Sequence, residues 1–210
     1  MIKLIKAVVV IAVLFLAGCK DGYFADGGTK LNLTGDLGVS TMQYLEKNPA
    51  TDTLSKLIKL TGLEAAVNEK GNTFLAPRDY SIHNYFKLLY PDPANMPATL
   101  ADLPQVEKDK IAQIIKNYII TGKEVVRNNL ATTYSYVDTY GGKKARFNLV
   151  TTDYLGNVNM GAKFVVFSLN LSPAGSAERY QTVQVATADL RSTNGIIHVL
   201  QSDSHIFGFN

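Results

Sequence analysis

Histidine and aspartate are the residue types in this chain that could support acid–base or metal chemistry. The chain has three histidines, and His198 and His205 lie close in sequence to Asp189 and Asp203. Imidazole and carboxylate groups in such a cluster could bind a metal or exchange a proton. However, His198 stands in an apolar run, where one or two buried hydrogen bonds, to backbone or to Asn194, are its expected role. We therefore predict neither a catalytic residue nor a metal site.

The rest of the sequence offers no other catalytic pattern. His83 has no second ligand three or four residues away, so we expect an exposed or hydrogen-bonded side chain. The sequence lacks a Gly-x-Ser-x-Gly elbow, a phosphate-binding loop and a His-Glu-x-x-His motif. We therefore predict a protein without enzymatic activity and without a cofactor.

Tyrosine is the residue type that could bind a ligand without catalysis, since the chain has 11 tyrosines and no tryptophan. Tyr134 and Tyr136 share one face of a predicted strand, and Tyr140 follows in the same strand–turn region. If exposed, these side chains could stack on sugar rings or contact a protein. If they cover the edge of the core, as we favour, they have no such role. Three further tyrosines fall in predicted loops: Tyr90, Tyr154 and Tyr180.

The first 18 residues have the pattern of a bacterial signal peptide. Lys3 and Lys6 precede an apolar segment of about ten residues, which is too short to cross a bilayer about 30 Å thick. Residues 16–19, Leu-Ala-Gly-Cys, resemble the lipobox of bacterial lipoproteins, and this resemblance implies cleavage before Cys19 and its acylation. A plain secretory signal or an uncleaved anchor is the alternative.

The predicted lipidation also indicates a compartment. Cys19 is the only cysteine, so a lipidated chain has no thiol left for disulfides or metal binding. Several acyl chains, such as palmitate, would hold the protein firmly to a membrane. Lys20 rather than aspartate follows Cys19, which favours the outer membrane, and Lys20-Asp21 resembles the export signal of surface lipoproteins in the Bacteroidetes. We expect residues 19–33 to form a flexible tether at the cell surface.

Composition and charge describe an ordinary globular domain. Apolar residues make up 46% of the chain and charged residues 19%. The formal net charge is +3, and without Lys3 and Lys6 the chain has 19 basic against 18 acidic residues. No basic stripe is interleaved with aromatic residues, so we expect no binding of nucleic acid.

Hydrophobic periodicity predicts helices first and strands afterwards. Four segments have helical spacing. The first begins at Ser40, a candidate cap; the second begins near Thr53 with Leu54, Leu57 and Ile58 on one side; the third follows Asp79; and the fourth has an apolar stripe that includes Ile111. The last helix is expected to continue through Tyr118 and Ile119 and to end at Gly122. From Val125 onward, short apolar segments recur at roughly ten-residue spacing, which is typical of strands. The pattern predicts a single α+β domain.

Two segments resemble the signature boxes of the fasciclin-like (FAS1) domain. Residues 73–82, TFLAPRDYSI, resemble the first box, and residues 187–200, TADLRSTNGIIHVL, resemble the second. The resemblance implies one FAS1-like domain over residues 34–210, with helices of the first half packed on a compact β-sandwich or wedge from the second half. We interpret the matching residues as structural: Thr73, Phe74, Ala76, Pro77, Asp79, Asp189, Asn194, Gly195 and His198.

Some of these motif residues have specific expected roles. Asp79 is expected to cap the helix that follows it, and Asn194-Gly195 to form a turn that tolerates positive φ. Asp189 and Asn194 are expected to bond local backbone. The family commonly has Tyr-His where this chain has Tyr118-Ile119, which puts in doubt any partner that the family assigns to that pair.

Three functions remain open at this point. The first is a lipid-anchored cell-envelope module for adhesion to a protein or matrix partner, as the resemblance to FAS1 domains implies. The second is a glycan-binding accessory lipoprotein of a polysaccharide-uptake system, which the missing tryptophan disfavours. The third is a hydrolase or metal-dependent enzyme centred on His198 and His205. We predict the first.

Overall fold

A computed structural model describes residues 35–158, 160–173, 175–203 and 205–209. These residues belong to one unit, Gly35–Asn210. The predicted signal peptide (residues 1–18), Cys19 and the tether (residues 19–33) lie outside the described residues. Across the described part of the chain, no helix is both long and apolar enough to span a membrane.

Five α-helices occur in the first half of the described chain. They are α1 Thr41–Lys47, α2 Asp52–Leu60, α3 Glu64–Val67, α4 Asp79–Leu89 and α5 Gln105–Lys116. Helix α1 begins as predicted, because Ser40 forms a capping box in which its side chain accepts from the backbone of Gln43 and the Gln43 side chain accepts from Ser40 N–H. Short 3-10 helices lie at Pro93–Asn95, Leu100–Asp102 and Arg127–Asn129.

Seven strands form one continuous sheet in the order β2-β1-β7-β6-β5-β4-β3. Their bounds are β1 Asn72–Ala76, β2 Ile119–Ile120, β3 Ser135–Asp138, β4 Lys144–Thr151, β5 Lys163–Asn170, β6 Tyr180–Arg191 and β7 Gly195–Leu200. Strand β1 pairs antiparallel with β2 and parallel with β7, and the other neighbours are antiparallel.

Strand β6 joins two parts of this sheet. Its first half, residues 180–184, pairs with β5, and its second half, from Val185, pairs with β7. The register shifts between Val185 and Thr187 and again between Thr187 and Leu190, and such bulges bend a strand. One sheet part therefore contains β2, β1 and β7, and the other contains β5, β4 and β3. With the helices of the first half, this arrangement confirms the predicted α+β fold.

The core lies where the helices and both sheet parts bury their apolar side chains. Helix α2 buries Leu54, Leu57 and Ile58, as its periodicity predicted. Phe207 and Phe209 near the chain end stack on the buried ring of Tyr118, with centroid distances of 5.8 and 5.9 Å. The segment that carries these two phenylalanines thus packs back onto the fold.

Two predictions of local structure are wrong. Helix α5 ends at Lys116, not at Gly122, and Ile119–Ile120 form β2 against Thr73 and Phe74 of β1. Two adjacent β-branched residues that are both buried suit a strand better than the last turn of a helix. Tyr180, predicted in a loop, is the first residue of β6 and pairs with Asn170.

Asp79 caps a different helix from the one predicted. Arg78 is the N-cap of α4, and Asp79 is the first residue of that helix. The Asp79 carboxylate accepts from the backbone amides of Thr53 at 2.8 Å and Leu54 at 3.2 Å. These amides belong to the first turn of α2, whose own N-cap Thr51 provides no side-chain hydrogen bond. A tertiary contact therefore replaces the local cap.

Candidate binding surface

Three tyrosines surround one arginine on the outer part of the sheet. The guanidinium carbon of Arg146 lies 3.8 Å from the ring centroid of Tyr134 and 4.0 Å from that of Tyr180. The ring of Tyr136 lies 6.3 Å from Tyr134 and 6.4 Å from Tyr180, both in edge-to-face geometry. We call these four residues the aromatic–arginine surface.

Strand register explains why these residues meet. Arg146 of β4 stands directly opposite Tyr136 of β3, and on its other side it stands opposite Ser168 of β5. Side chains two residues apart share a face, which brings Tyr134 to the same side as Tyr136. Tyr180 reaches the same face from β6, two strands away from β4. The guanidinium thus lies between a ring from the β3 side and a ring from the β6 side.

The second signature box holds the two ends of the fold together through Asn194. Its side-chain oxygen accepts from the backbone amide of Thr41 at 2.9 Å, and its amide nitrogen donates to the Val67 carbonyl at 3.4 Å. The turn closes through Ser192, whose N–H donates to the Gly195 carbonyl at 2.9 Å. The expected local bonding is therefore wrong for the Asn194 side chain, which fastens α1 and α3.

Gly195 is required by a close approach rather than by positive φ. Neither Asn194 nor Gly195 has positive φ, so that expectation is wrong. Gly195 pairs in parallel with Asn72, and a Cβ at this position would stand 2.2 Å from the Asn72 carbonyl oxygen. A side chain would force β7 away from β1.

The two boxes also meet at the segment that precedes β3. The Thr73 hydroxyl accepts from Val125 N–H at 2.8 Å and donates to the Lys123 carbonyl at 2.8 Å. His198 bonds the Val125 carbonyl through Nε2, also at 2.8 Å. Phe74 and Ala76 of β1 are fully or almost fully buried, and Pro77 follows them in a buried position. These residues hold the chain segment between β2 and β3 in place.

Asp189 takes part in the same attachment. Its carboxylate accepts from Arg127 N–H at 3.0 Å, across 62 positions of sequence, and not from local backbone as expected. Its own N–H donates to Nδ1 of His198 at 3.3 Å, with a φ of 59° at Asp189. Asp tolerates this left-handed conformation better than most residues.

The buried histidines are engaged in structural hydrogen bonds. Because Nδ1 of His198 accepts, Nε2 carries the proton and donates to Val125, and burial lowers the pKa of this imidazole. His205 bonds the Tyr118 hydroxyl through Nε2 at 2.9 Å, and burial lowers the pKa of His205 to about 4. Asp203 is exposed and bonds Ser202. In the described part of the chain, no group of three or more metal-ligating side chains occurs.

A family model described as the fasciclin domain matches residues 49–202, which is most of the chain. The chain belongs to the fasciclin (FAS1) domain family. Among solved structures, a FAS1 domain pair from the insect cell adhesion molecule fasciclin I is similar, with 17% identity and a TM-score of 0.39. That match covers 80% of this chain and 44% of the other. No curated protein sequence matches this chain.

One face of this fasciclin domain carries Arg146, which pairs with no carboxylate of the described residues. Its buried Nε has no hydrogen-bond partner in that part of the chain. The nearby Glu178 is engaged by the Lys144 ammonium at 3.6 Å and by the Tyr180 hydroxyl at 3.3 Å. Partial desolvation and Glu178 raise the pKa of Tyr180, so its hydroxyl stays protonated at neutral pH.

The structure brings together only some of the tyrosines considered from sequence. Tyr134 and Tyr136 are 48% and 57% exposed, so they do not cover the edge of the core as we favoured. Tyr140 is 48% exposed in the β3–β4 turn, and no described ring contact joins it to the other tyrosines. Arg146 was not among the candidate residues that the sequence predicted. The Gly141-Gly142 turn could have revealed it, because a hairpin there places Arg146 beside Tyr136.

Two grooves provide further concave surface in the fasciclin domain. One of about 880 Å³ lies between α4, α5, the chain end and the β5–β6 connection, and Lys143 and Arg179 stand on its lining. The other, of about 850 Å³, is lined by α2, α4 and residues 96–103. His83 and Asp79 both line this second groove, but the Asp79 carboxylate is committed to the α2 amides. The Asp79 carboxylate is therefore not available to His83 as an acid–base partner.

Proposed function

We propose that this protein is a non-enzymatic, lipid-anchored binding module of the cell envelope. It adheres to a protein or matrix partner through the aromatic–arginine surface. The observation that carries this proposal is the exposure of Tyr134 and Tyr136 around an arginine that lacks a carboxylate partner among the described residues. Tyrosine and arginine are the residue types that dominate binding energy at protein interfaces. FAS1 domains occur in cell-adhesion modules, which agrees with this role.

The anchor is the Cys19 lipid, and the expected location is the outer membrane with the domain at the cell surface. The lipobox at residues 16–19 and the signal pattern of residues 1–18 support this part of the proposal. Protease treatment of intact cells tests it: the full chain should be degraded without permeabilisation. The Cys19→Ala variant should leave the membrane fraction. Protection in intact cells would place the domain in the periplasm instead.

The histidines support the non-enzymatic part of the proposal, because both ring nitrogens of His198 and Nε2 of His205 form internal hydrogen bonds. A double variant, His198→Gln with His205→Gln, tests the enzymatic alternative. An activity detected in the wild-type protein and lost in a folded double variant would contradict our proposal. The fold of the variant is checked by circular dichroism.

Cell adhesion tests the role of the surface directly. Cells that display the full chain should adhere to a surface coated with matrix. The double variant Tyr134→Ala, Tyr136→Ala should reduce this adhesion about tenfold or more, because removal of central aromatic contacts has such an effect at interfaces. Tyr80→Ala is the matched control, because Tyr80 is 57% exposed on α4, as exposed as Tyr136. Equal adhesion by the double variant and the wild type would rule out this surface as the contact.

A second candidate is a glycan-binding accessory lipoprotein of a polysaccharide-uptake system. The specific observation in its favour is that the three tyrosine rings lie close together on one face of the sheet, where exposed ring faces can stack on sugars. Affinity electrophoresis against a glycan panel separates the two candidates. Retardation that requires Tyr134 and Tyr136 would favour glycan capture over adhesion to a protein.

A further inference from the structure

We propose that the aromatic–arginine surface binds an acidic polysaccharide, one that carries a carboxylate on its sugar rings. In this complex the Arg146 guanidinium binds the uronate carboxylate, and the ring of Tyr136 stacks on the sugar. This inference rests on the glycan-binding candidate of the proposed function, because it names the ligand class of the same surface.

The position of Arg146 leaves one way for a ligand to reach its charge. The rings of Tyr134 and Tyr180 lie 3.8 and 4.0 Å from the guanidinium carbon, so they cover its flat faces. Nε is buried without a hydrogen-bond partner, and no hydrogen bond or ion pair within the described residues engages the two Nη atoms. A ligand therefore meets the Nη edge, where a planar carboxylate can accept two parallel hydrogen bonds.

The charge balance of the surface favours an anion. Lys144 stands on the same face of β4 as Arg146, two residues away, and its ammonium lies 3.6 Å from Glu178. Glu178 is therefore offset by Lys144, and the Arg146 charge remains without a carboxylate partner in the described residues. Because the two rings hold the guanidinium in place, it loses little conformational entropy on binding.

The neighbouring rings favour a sugar over an acidic peptide. Tyr136 is 57% exposed and its ring centroid lies 6.3 to 6.4 Å from the two rings that hold Arg146. A pyranose ring on Tyr136 thus places a carboxylate attached to that ring within reach of the Nη edge. An acidic peptide would need pockets for its side chains, whereas this face is built from flat phenol rings at β3 and β6.

The test compares two polymers with the same sugar backbone, one with free carboxylates and one with the carboxylates masked as uncharged methyl esters. The full chain, solubilised in detergent, is run by affinity electrophoresis through gels with polygalacturonate or with its methyl ester. We expect retardation by polygalacturonate and at least tenfold weaker binding to the ester. Added salt should weaken the binding, because an ion pair with an exposed edge is screened.

Three variants locate the effect. Arg146→Gln should remove the difference between the two polymers, and Arg146→Lys should lose about tenfold in affinity, because lysine keeps the charge but not the paired donors. Arg179→Gln is the control of equal charge change, since Arg179 is exposed and lines the groove beside α5. It should bind as the wild type does. Thermal melting confirms that each variant is folded.

Three results would overturn the inference. They are equal binding to polygalacturonate and its ester, undiminished binding by folded Arg146→Gln, and tighter binding to polyglutamate than to polygalacturonate. None of them contradicts the proposed adhesion, which would still be shown by tyrosine-dependent attachment of cells. If cells instead attach without Tyr134 and Tyr136 while the surface still binds uronate, the ligand assignment stands and the surface has no role in adhesion.

Discussion

The backbone amide of Thr41 donates a 2.9 Å hydrogen bond to the side-chain oxygen of Asn194, across 153 positions of sequence. Thr41 is the first residue of α1 and is only 2% exposed. A helix start leaves its first amides without intrahelical acceptors, so a buried one needs a partner from elsewhere. The turn before β7 supplies that partner.

Asn194→Ala should therefore lower the free energy of unfolding by about 2 kcal/mol, because it leaves the buried Thr41 amide without an acceptor. Urea denaturation followed by circular dichroism measures the change. Asn128→Ala is the control, since Asn128 is exposed, and it should change stability by less than about 0.5 kcal/mol. Similar losses in the two variants would refute the proposed link between α1 and the turn.

Gly195→Ala should destabilise the protein more than Gly122→Ala does. A Cβ at Gly195 would stand 2.2 Å from the Asn72 oxygen, whereas a Cβ at Gly122 meets nothing within 4 Å. Gly122 has a φ of 63°, so its substitution should cost about 1 kcal/mol from backbone strain alone. At Gly195 we expect a loss of about 3 kcal/mol or more, or failure to fold. Denaturation midpoints that rank in the reverse order would contradict this explanation.

Asp79→Ala should lower the free energy of unfolding by about 1 to 2 kcal/mol through loss of the α2 cap. The carboxylate accepts from two amides of the first turn of α2, and alanine provides no acceptor. Asp138→Ala, an exposed position in β3, serves as the control. Hydrogen exchange locates the effect: faster exchange should occur at Thr53 and Leu54. Faster exchange confined to α4 would instead favour capping of its own helix.

Stability should fall as the pH is lowered from about 6.5 to 4. The pKa of His205 is about 4 in the folded state and 6.5 in its ordinary range, so the unfolded state binds more protons in this window. The difference corresponds to about 3 kcal/mol at full titration. His198, whose pKa is also lowered, contributes in the same direction.

Urea denaturation at intervals of pH from 7 to 4 measures this dependence. In His205→Gln the slope should be smaller, because glutamine does not titrate and can still accept from Tyr118. A slope that is unchanged in this variant would assign the acid sensitivity to other groups. The quantity compared is the change in the free energy of unfolding between pH 7 and pH 4. A loss of stability that the substitution causes equally at every pH does not affect this change.

Much of the fold could be predicted from the sequence because periodicity and turn residues are local. The stripe of α2 and the capping residue Ser40 were both confirmed. The boundary of α5 could not be predicted, since Ile119–Ile120 continue the helical spacing and only their pairing with β1 makes them a strand. The role of Asp79 depends likewise on α2, which the residues beside Asp79 do not specify.

The candidate surface, too, could be predicted from the sequence only in part. The shared face of Tyr134 and Tyr136 follows from their two-residue spacing, but their exposure depends on what covers β3. Arg146 and Tyr180 join them only through the register of β4, β5 and β6. A sequence without an alignment does not specify that register, so it gives no reason to single out this arginine.

The pairing of Asn72 with Gly195 has a consequence for how the domain is made. Strand β1 is synthesised well before its parallel neighbour β7, because more than 100 residues lie between Ala76 and Gly195. Until then β1 has only the two residues of β2 as a partner, and the core stays open on one side. The domain therefore cannot complete its fold before β7 is available, and it folds at the modest rate that long-range pairing imposes. Loss of β7 would leave β1, whose residues are all buried in the native fold, with an unpaired edge, which makes it a target for aggregation.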